Sequence, residues 1–305
     1  MPELPEIETI KLQLQKVLIG QKLIRVQVLS PKSVQGNIKL LEGQQVEGIR
    51  RKAKVLLIDF SKNLTAAFHF KMTGQLVYNG VGGPARNASI RVAGGHPTED
   101  FVGKLPSAHT RVIFDFDHGP PAGRQGALYF NDQRLFGWVI VDTSAKIETL
   151  KFLQKLGPEP HVTKSSSGQA FLTLDLFKKI LSKSRRPIKV VIMDQEVISG
   201  VGNIYANDAL WEARINPRTP ASQLDSKTSR QLYDAILKVL REGIKYGGAT
   251  AADAKYVDLR GLGGHYQDHF RVYDRENLPC HNCGTKVEKF VLGGRGTYFC
   301  PACQR

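Results

Sequence analysis

All four cysteines of this 305-residue chain fall within its last 26 residues, as Cys280, Cys283, Cys300 and Cys303. Two CxxC pairs separated by sixteen residues have the spacing of a tetrahedral thiolate site, and no other segment of the chain is so tightly constrained by its sequence. Two knuckles presenting four thiolates suit Zn²⁺ at its short Zn–S distance. Iron or a redox pair is the alternative, and disulfides suit a cytosolic chain poorly. One zinc ion with four protein ligands has no open coordination position, so its role is structural.

Charge constrains the partner. The chain carries 43 Lys and Arg against 28 Asp and Glu, a formal net charge of +15. Each phosphate neutralised by such a surface releases condensed counterions, which points to nucleic acid ahead of an anionic membrane surface. The basic residues also cluster, as in Arg50-Arg51-Lys52-Ala53-Lys54 and Lys183-Ser184-Arg185-Arg186. No apolar run approaches the roughly 20 residues that span a bilayer. The N-terminus has acids where a secretory signal needs a basic region, so a cytoplasmic protein is expected.

The chain opens MPELPEIETI, with Pro-Glu at 2–3 and again at 5–6. From Pro5 the spacing of Ile7, Ile10, Leu14 and Val17 predicts a helix that Gly20 ends. Pro5 suits its first turn, and Glu6 and Glu8 sit near the positive end of its dipole. Pro2 and Glu3 lie outside it and are unexplained by it.

Residues 21–145 read as mostly β. Segments such as KLIRVQVLS, KVLLIDF, LTAAFHF, QLVYNG, RVIFDFD, ALYFND and WVIVDT, divided by Gly, Asn and Asp, predict an antiparallel sandwich. The stretch from Gly80 to Gly126 is rich in Gly, Pro and Ala and reads as two loop-like insertions around one strand, Arg111–Phe116. From about 146 the pattern turns helical: IETLKFLQKLG, FLTLDLFKKILSKS, IKVVIMDQEVI, NIYANDALWEA and TSRQLYDAILKVLREGIKYGG each predict one helix. Residues 248–271 read as a polar connection before the cysteine module.

Three short segments offer chemistry. In SGVGNIYAND, Gly200 and Gly202 precede a helix for which Asn203 is a candidate N-cap, a helix start that presents N–H groups to an anion. NDQRLFGW places Arg134 and Phe136 two apart, a guanidinium and a ring able to fill a gap in a base stack. HFKMTG puts Met72 before a turn, as core or as wedge.

Taken together, MPELPEIE, RRKAK, the HxxMTG turn, NDxRxFG, DQxxxxGVGNIYANDALW, RGLGGHYQ and CHNCGTKV…GGRGTYFCPACQ run in order over the whole chain. In them the chain resembles the bacterial formamidopyrimidine-DNA glycosylases. Leu4 distinguishes it from the sister endonuclease VIII branch, which typically reads Pro-Glu-Gly-Pro-Glu. The resemblance implies an α+β fold: an antiparallel β-sandwich with a leading helix, a helix-two-turn-helix domain and a C-terminal zinc finger with four cysteine ligands. The domains would be 1–145, catalytic; 146–271, DNA-binding; and 272–305, the finger. It also implies a bifunctional glycosylase and AP lyase that excises oxidised purines (8-oxoguanine and formamidopyrimidines) from duplex DNA. Such a protein would act as a monomer, associated with the bacterial nucleoid, on double-stranded DNA with oxidised purines or abasic sites, with one structural Zn²⁺. An endonuclease VIII-like enzyme for oxidised pyrimidines and a non-catalytic damaged-DNA binder are the alternatives.

Roles follow position by position. Removal of Met1 would expose Pro2 as a secondary amine, titrating near pH 8 and lowered by neighbouring cations. Glu3 matches the general acid, Lys54 the lysine of β-elimination, and Arg295 the arginine of δ-elimination; Glu6 matches a carboxylate near the active site. His109, Arg134, Arg185, Lys189 and Asn203 match DNA contacts, and Met72, Arg134 and Phe136 the side chains that fill the void of an extruded nucleotide. The chain departs from the family at Lys71 and Asp274, where glycine is usual, at Leu135, where a second arginine is usual, and at Arg185, where lysine is common. Its 80–126 region is also longer.

Overall fold

The computed structural model describes residues 1–81, 89–96, 98–117, 125–163, 170–249 and 264–305. Parts of two sequence-based expectations lie outside the described residues: 82–88, 97 and 118–124 of the long insertion, and 250–263 of the polar connection, including most of RGLGG. The described chain forms two compact units. The first holds Met1–Gln154 with Gly247–Ala249 and Gly264, and the second holds 155–163, 170–246 and 265–305.

The first helix, α1 (Leu4–Leu18), buries Ile7, Ile10, Leu14 and Val17 along one side, as the spacing predicts. It starts before Pro5. Glu3 is its N-cap, and the Glu6 carboxylate accepts the Glu3 N–H at 2.7 Å in a capping box. The helix therefore does account for Glu3, contrary to the sequence reading.

Ten strands follow: β1 (Lys22–Val28), β2 (Val34–Gln35), β3 (Val46–Lys52), β4 (Val55–Phe60), β5 (Leu64–His69), β6 (Gly74–Val81), β7 (Ser89–Gly95), β8 (Thr110–Asp117), β9 (Gln125–Asp132) and β10 (Trp138–Thr143). They form two five-stranded sheets, ordered β1-β8-β9-β6-β7 and β2-β10-β5-β4-β3. Apart from the short parallel β2–β10 pair, the ladders within these sheets are antiparallel. Leu56, Ile58, Phe68 and Val139 of one sheet share a core with Leu76, Val112, Phe114 and Phe130 of the other and with Ile7, Ile10 and Leu14 of α1. Phe68 meets Phe114 and Phe130 edge-on, with centroids 5.7 and 6.0 Å apart. Each such fully buried side chain contributes about 1.5–3 kcal/mol.

Three of these ten strands escaped the sequence reading: the two-residue β2, too short for any period to show, and β3 and β7. In β3 a register shift between Val46 and Gly48 interrupts the period-2 alternation, leaving only a basic run visible. β7 falls in the segment read as loop because of its glycines. A Cβ at Gly94 would lie 2.1 Å from Ile10 Cγ1, so the glycine that argued for a loop admits α1 against the strand.

After β10, α2 (Ser144–Glu148) and α3 (Lys151–Gln154) replace the single helix expected over 147–157. Thr149 stops α2 by donating its hydroxyl to Lys146 O at 2.9 Å. The second unit opens with the parallel pair β11 (Glu159–Pro160) and β12 (Phe171–Leu172). Helices α4 (Leu174–Ser182), α5 (Ile188–Met193), α6 (Asn203–Glu212) and α7 (Ser226–Lys245) follow, then the hairpin of β13 (Glu288–Leu292) and β14 (Arg295–Phe299). In α7, Leu232, Ile236, Val239 and Leu240 line the buried side, and Asp225 caps the start by accepting Thr228 N–H at 2.7 Å. α5 ends at Met193, short of the Ile198 expected, because the Asp194 carboxylate turns back to accept Glu196 N–H at 3.1 Å. Among the described residues no helix is long and apolar enough to cross a membrane.

Candidate active site and nucleic-acid interface

In the first unit the N-terminus is packed, not frayed. Pro2 is buried, Glu3 is 2% exposed and Glu6 is 7% exposed. Glu6 Oε2 accepts from Glu3 N and Oε1 from Ala249 N at 2.8 Å, which fixes the peptide that follows Pro2. Lys54, 5% exposed, is the second residue of the two-residue turn between β3 and β4. Ala53 before it has a left-handed φ of +51°, and Arg51 Nη1 donates to its carbonyl at 2.9 Å. Nearby, burial and the charges of Lys71 and Lys54 hold the His69 imidazole down to about 3. It is neutral, and Nδ1 accepts the N–H of Lys71 at 3.0 Å.

Met72, Arg134 and Phe136 are organised by a carboxylate that the sequence reading left without a role. The buried Asp132 accepts from the Thr73 hydroxyl, from Arg134 N at 3.2 Å and from Gly137 N at 2.6 Å. Thr73 Oγ also accepts Arg134 N–H at 3.2 Å, so the turn after Met72 and the loop 133–137 are held as one piece. The loop leaves Phe136 53% exposed, with the Arg134 guanidinium 4.8 Å from its ring centroid. Leu135 between them has a φ of +58°. His109 Nδ1 lies 3.0 Å from Oδ2 of the buried Asp100, which orients the half-exposed imidazole.

In the second unit, Gln195 builds the turn that leads into α6. Its side chain donates to Met193 O at 2.9 Å and Val201 O at 2.7 Å and accepts from Gly200 N at 2.9 Å, with Gly200 at φ +90°. The N-cap is Gly202, and Asn203, expected there, is the first helical residue. Asn207 Nδ2 donates back to Asn203 O at 2.6 Å. Arg185 is exposed. Lys189 is 1% exposed, its ammonium donating to Gly296 O at 2.9 Å and Thr297 Oγ at 2.8 Å. It thus braces the hairpin instead of standing open to a phosphate. Arg295 is exposed, directly after the turn at Gly293 and Gly294, whose φ values are +56° and +73°.

The four cysteine Sγ atoms lie within 4.8 Å of one another, with Cys280 to Cys303 at 3.9 Å and Cys283 to Cys300 at 3.4 Å. A tetrahedral zinc–thiolate site places its sulfurs about 3.8 Å apart, so this donor set fits the metal. Around it Trp211 Nε1 and Asn282 Nδ2 each donate to a sulfur at 3.3 Å, offsetting thiolate charge. Asn207 Oδ1 accepts Tyr298 N–H at 2.9 Å, and Asp208 Oδ1 accepts the N–H groups of Arg271, Val272 and Tyr273 at 3.1–3.2 Å. Burial pushes the Asp208 carboxyl up, against those donors. Asp132, Thr73, Gln195, Asn207 and Asp208 all sit inside the motifs, but nothing local marks which of a motif's polar residues turns inward.

Three family models match the chain in order: the formamidopyrimidine-DNA glycosylase N-terminal domain over 1–139, its H2TH domain over 156–255, and the zinc finger found in FPG and IleRS over 277–305. The formamidopyrimidine-DNA glycosylase of Pelotomaculum thermopropionicum is 36% identical over 310 aligned residues, covering 100% of this chain and 99% of that protein. The Thermus thermophilus enzyme is 36% identical, at 100% and 98% coverage. The crystal structure of the MutM (Fpg) protein from Thermus thermophilus superposes with a TM-score of 0.79 at 34% identity, covering 99% and 98% of the two chains. The Lactococcus lactis Fpg in complex with an abasic-site-containing DNA superposes at 0.81 with 27% identity and complete coverage of both chains. With its helix-led sandwich, its helical unit and its four-thiolate zinc site, the chain belongs to the formamidopyrimidine-DNA glycosylase family.

Proposed function

We propose that this DNA glycosylase removes oxidised purines from duplex DNA and then cleaves the strand, with the Pro2 nitrogen as nucleophile. What supports this most is the N-terminus: a proline directly before a buried N-cap glutamate, its following peptide fixed by Glu6. Once Met1 is removed, the secondary amine attacks C1′ of an extruded nucleoside. The N–C1′ bond forms as the glycosidic bond breaks, the base takes its electron pair and a proton from Glu3, and the amine sheds its own proton. The nitrogen lone pair then opens the sugar: the C1′–O4′ bond breaks, O4′ takes a proton delivered through Glu3, and the C1′=N⁺ iminium that forms acidifies C2′–H. Lys54 takes that proton as the C3′–O bond breaks, and Arg295 assists the second elimination, which releases the 5′ phosphate. Water then hydrolyses the imine and frees Pro2. Met72, Arg134 and Phe136 fill the vacated stack, His109 and Arg185 contact the DNA, and Asn203 holds a phosphate. The zinc ion supplies no chemistry; when bound it fixes the hairpin that carries Arg295.

The work divides among 1–145, 146–271 and 272–305, in a monomer that acts on duplex DNA in the bacterial cytoplasm, at the nucleoid. The test is borohydride trapping on abasic and 8-oxoguanine duplexes with protein whose loss of Met1 is confirmed by mass. A covalent adduct is expected, absent when one residue is added before Pro2 and at least about a hundredfold slower for Pro2→Gly. Arg295→Ala is expected to keep base removal while strand cleavage weakens. No adduct from Met-less protein would overturn the mechanism.

A further inference from the structure

Three ionisable side chains of the first unit are sealed from water and have no part in the chemistry assigned above. Glu8, Lys11 and Arg51 are each 1% exposed. Glu8 receives the Lys11 ammonium on Oε1 and Arg51 Nε on Oε2, the latter at 2.9 Å. Both carboxylate oxygens are engaged, so the group cannot rotate. Glu8 stands on α1, whose start carries Pro2 and Glu3. Arg51 stands on β3 and donates through Nη1 to Ala53 O, in the turn that presents Lys54.

We infer that the Glu8–Arg51 pair, locked by Lys11, is a positioning device that sets the Lys54 turn at a fixed place relative to the N-terminal amine. The inference rests on the reading of Pro2 and Lys54 as reacting groups. Stability alone does not explain the cluster, because buried ion pairs are seldom worth more than well-packed apolar side chains of similar volume. Direction is what they add. An apolar layer between helix and sheet tolerates sliding, whereas a guanidinium bonded to a carboxylate on one side and a carbonyl on the other does not. The Ala53 carbonyl belongs to the peptide whose nitrogen is that of Lys54. Ala53 also holds a left-handed backbone that an alanine adopts only when its surroundings enforce it. The Arg51 bond to Ala53 O is such an enforcement.

The test uses full-length, Met-less, zinc-loaded protein in single turnovers with saturating enzyme on an abasic duplex. Two variants are compared with wild type: Arg51→Lys, and the apolar triple Lys11→Met/Glu8→Leu/Arg51→Met, which removes the three mutually paired charges together. Imine trapping by borohydride is expected to stay close to the wild-type rate. Strand cleavage should fall by about tenfold to a hundredfold, so that uncleaved adduct accumulates. General loosening of the fold would lower both steps together through the active fraction. A parallel fall in trapping and cleavage, or cleavage at the wild-type rate in the folded triple variant, overturns the proposal. Absence of trapping by the wild type would instead overturn the Pro2 mechanism, and the two failures are thereby separate.

Discussion

Single residues explain where this chain departs from its family. Lys71 and Asp274, where the resemblance to the family leads one to expect glycine, have φ values of +48° and +55°, a region that disfavours side chains. The glycine preference is thus a backbone requirement that this chain meets under strain. Lys71→Gly should raise unfolding stability by about 0.5–1 kcal/mol, read as a higher urea midpoint. His69, two residues before, makes the same turn sensitive to acid. Its imidazole is held down to about 3 in the folded chain against an ordinary 6.5. Between those values the unfolded chain binds more protons, so stability is intact above about 6.5 and declines as pH falls toward 3. Protonating Nδ1 would also remove the acceptor for Lys71 N–H. The urea midpoint should be lower at pH 5 than at pH 7 for the wild type, and the drop should be smaller for His69→Asn, whose side-chain oxygen can still accept.

Among elements, α6 does most to order the second unit. From one helix Asn207 holds a strand of the hairpin, Asp208 gathers three backbone N–H groups of 271–273, and Trp211 donates to Cys280. Trp211→Phe removes that donor while keeping an aromatic ring, and should weaken zinc binding by about tenfold or more in chelator competition. Much of this architecture was legible beforehand. The periodicity of α1, α4 and α7 and the alternation in β10 come from one buried face, and the nearly unbroken apolar runs of β4 and β5 from burial on both faces. The zinc ligands were legible because four thiolates need a fixed spacing. Strand β3 was hidden by its bulge and β7 by two glycines, of which Gly94 makes room for Ile10 of α1 and Gly95 for the backbone of β6. Partners distant in sequence leave no local trace: Asp100 beside His109, Glu8 beside Arg51, and the Lys189 ammonium beneath Thr297. Buried and surface lysines look alike until the chain is folded.

At the scale of the molecule, the +15 charge sets how binding responds to salt. If six to ten phosphates are neutralised, affinity for an abasic duplex should drop by about 10³–10⁵ between 50 and 200 mM salt. A slope near zero in log affinity against log salt would contradict a phosphate-dominated interface. Charge of this kind is spread over the surface and tolerates change one residue at a time. The coupling through α6 does not, because the finger's backbone groups find their acceptors on a helix encoded about ninety residues earlier, as Asn207 bonded to Tyr298 illustrates. Transplanting the terminal thiolate module from a relative into this scaffold, or lending it to another, would succeed only if the helix travelled with it, so the two segments form one unit of inheritance.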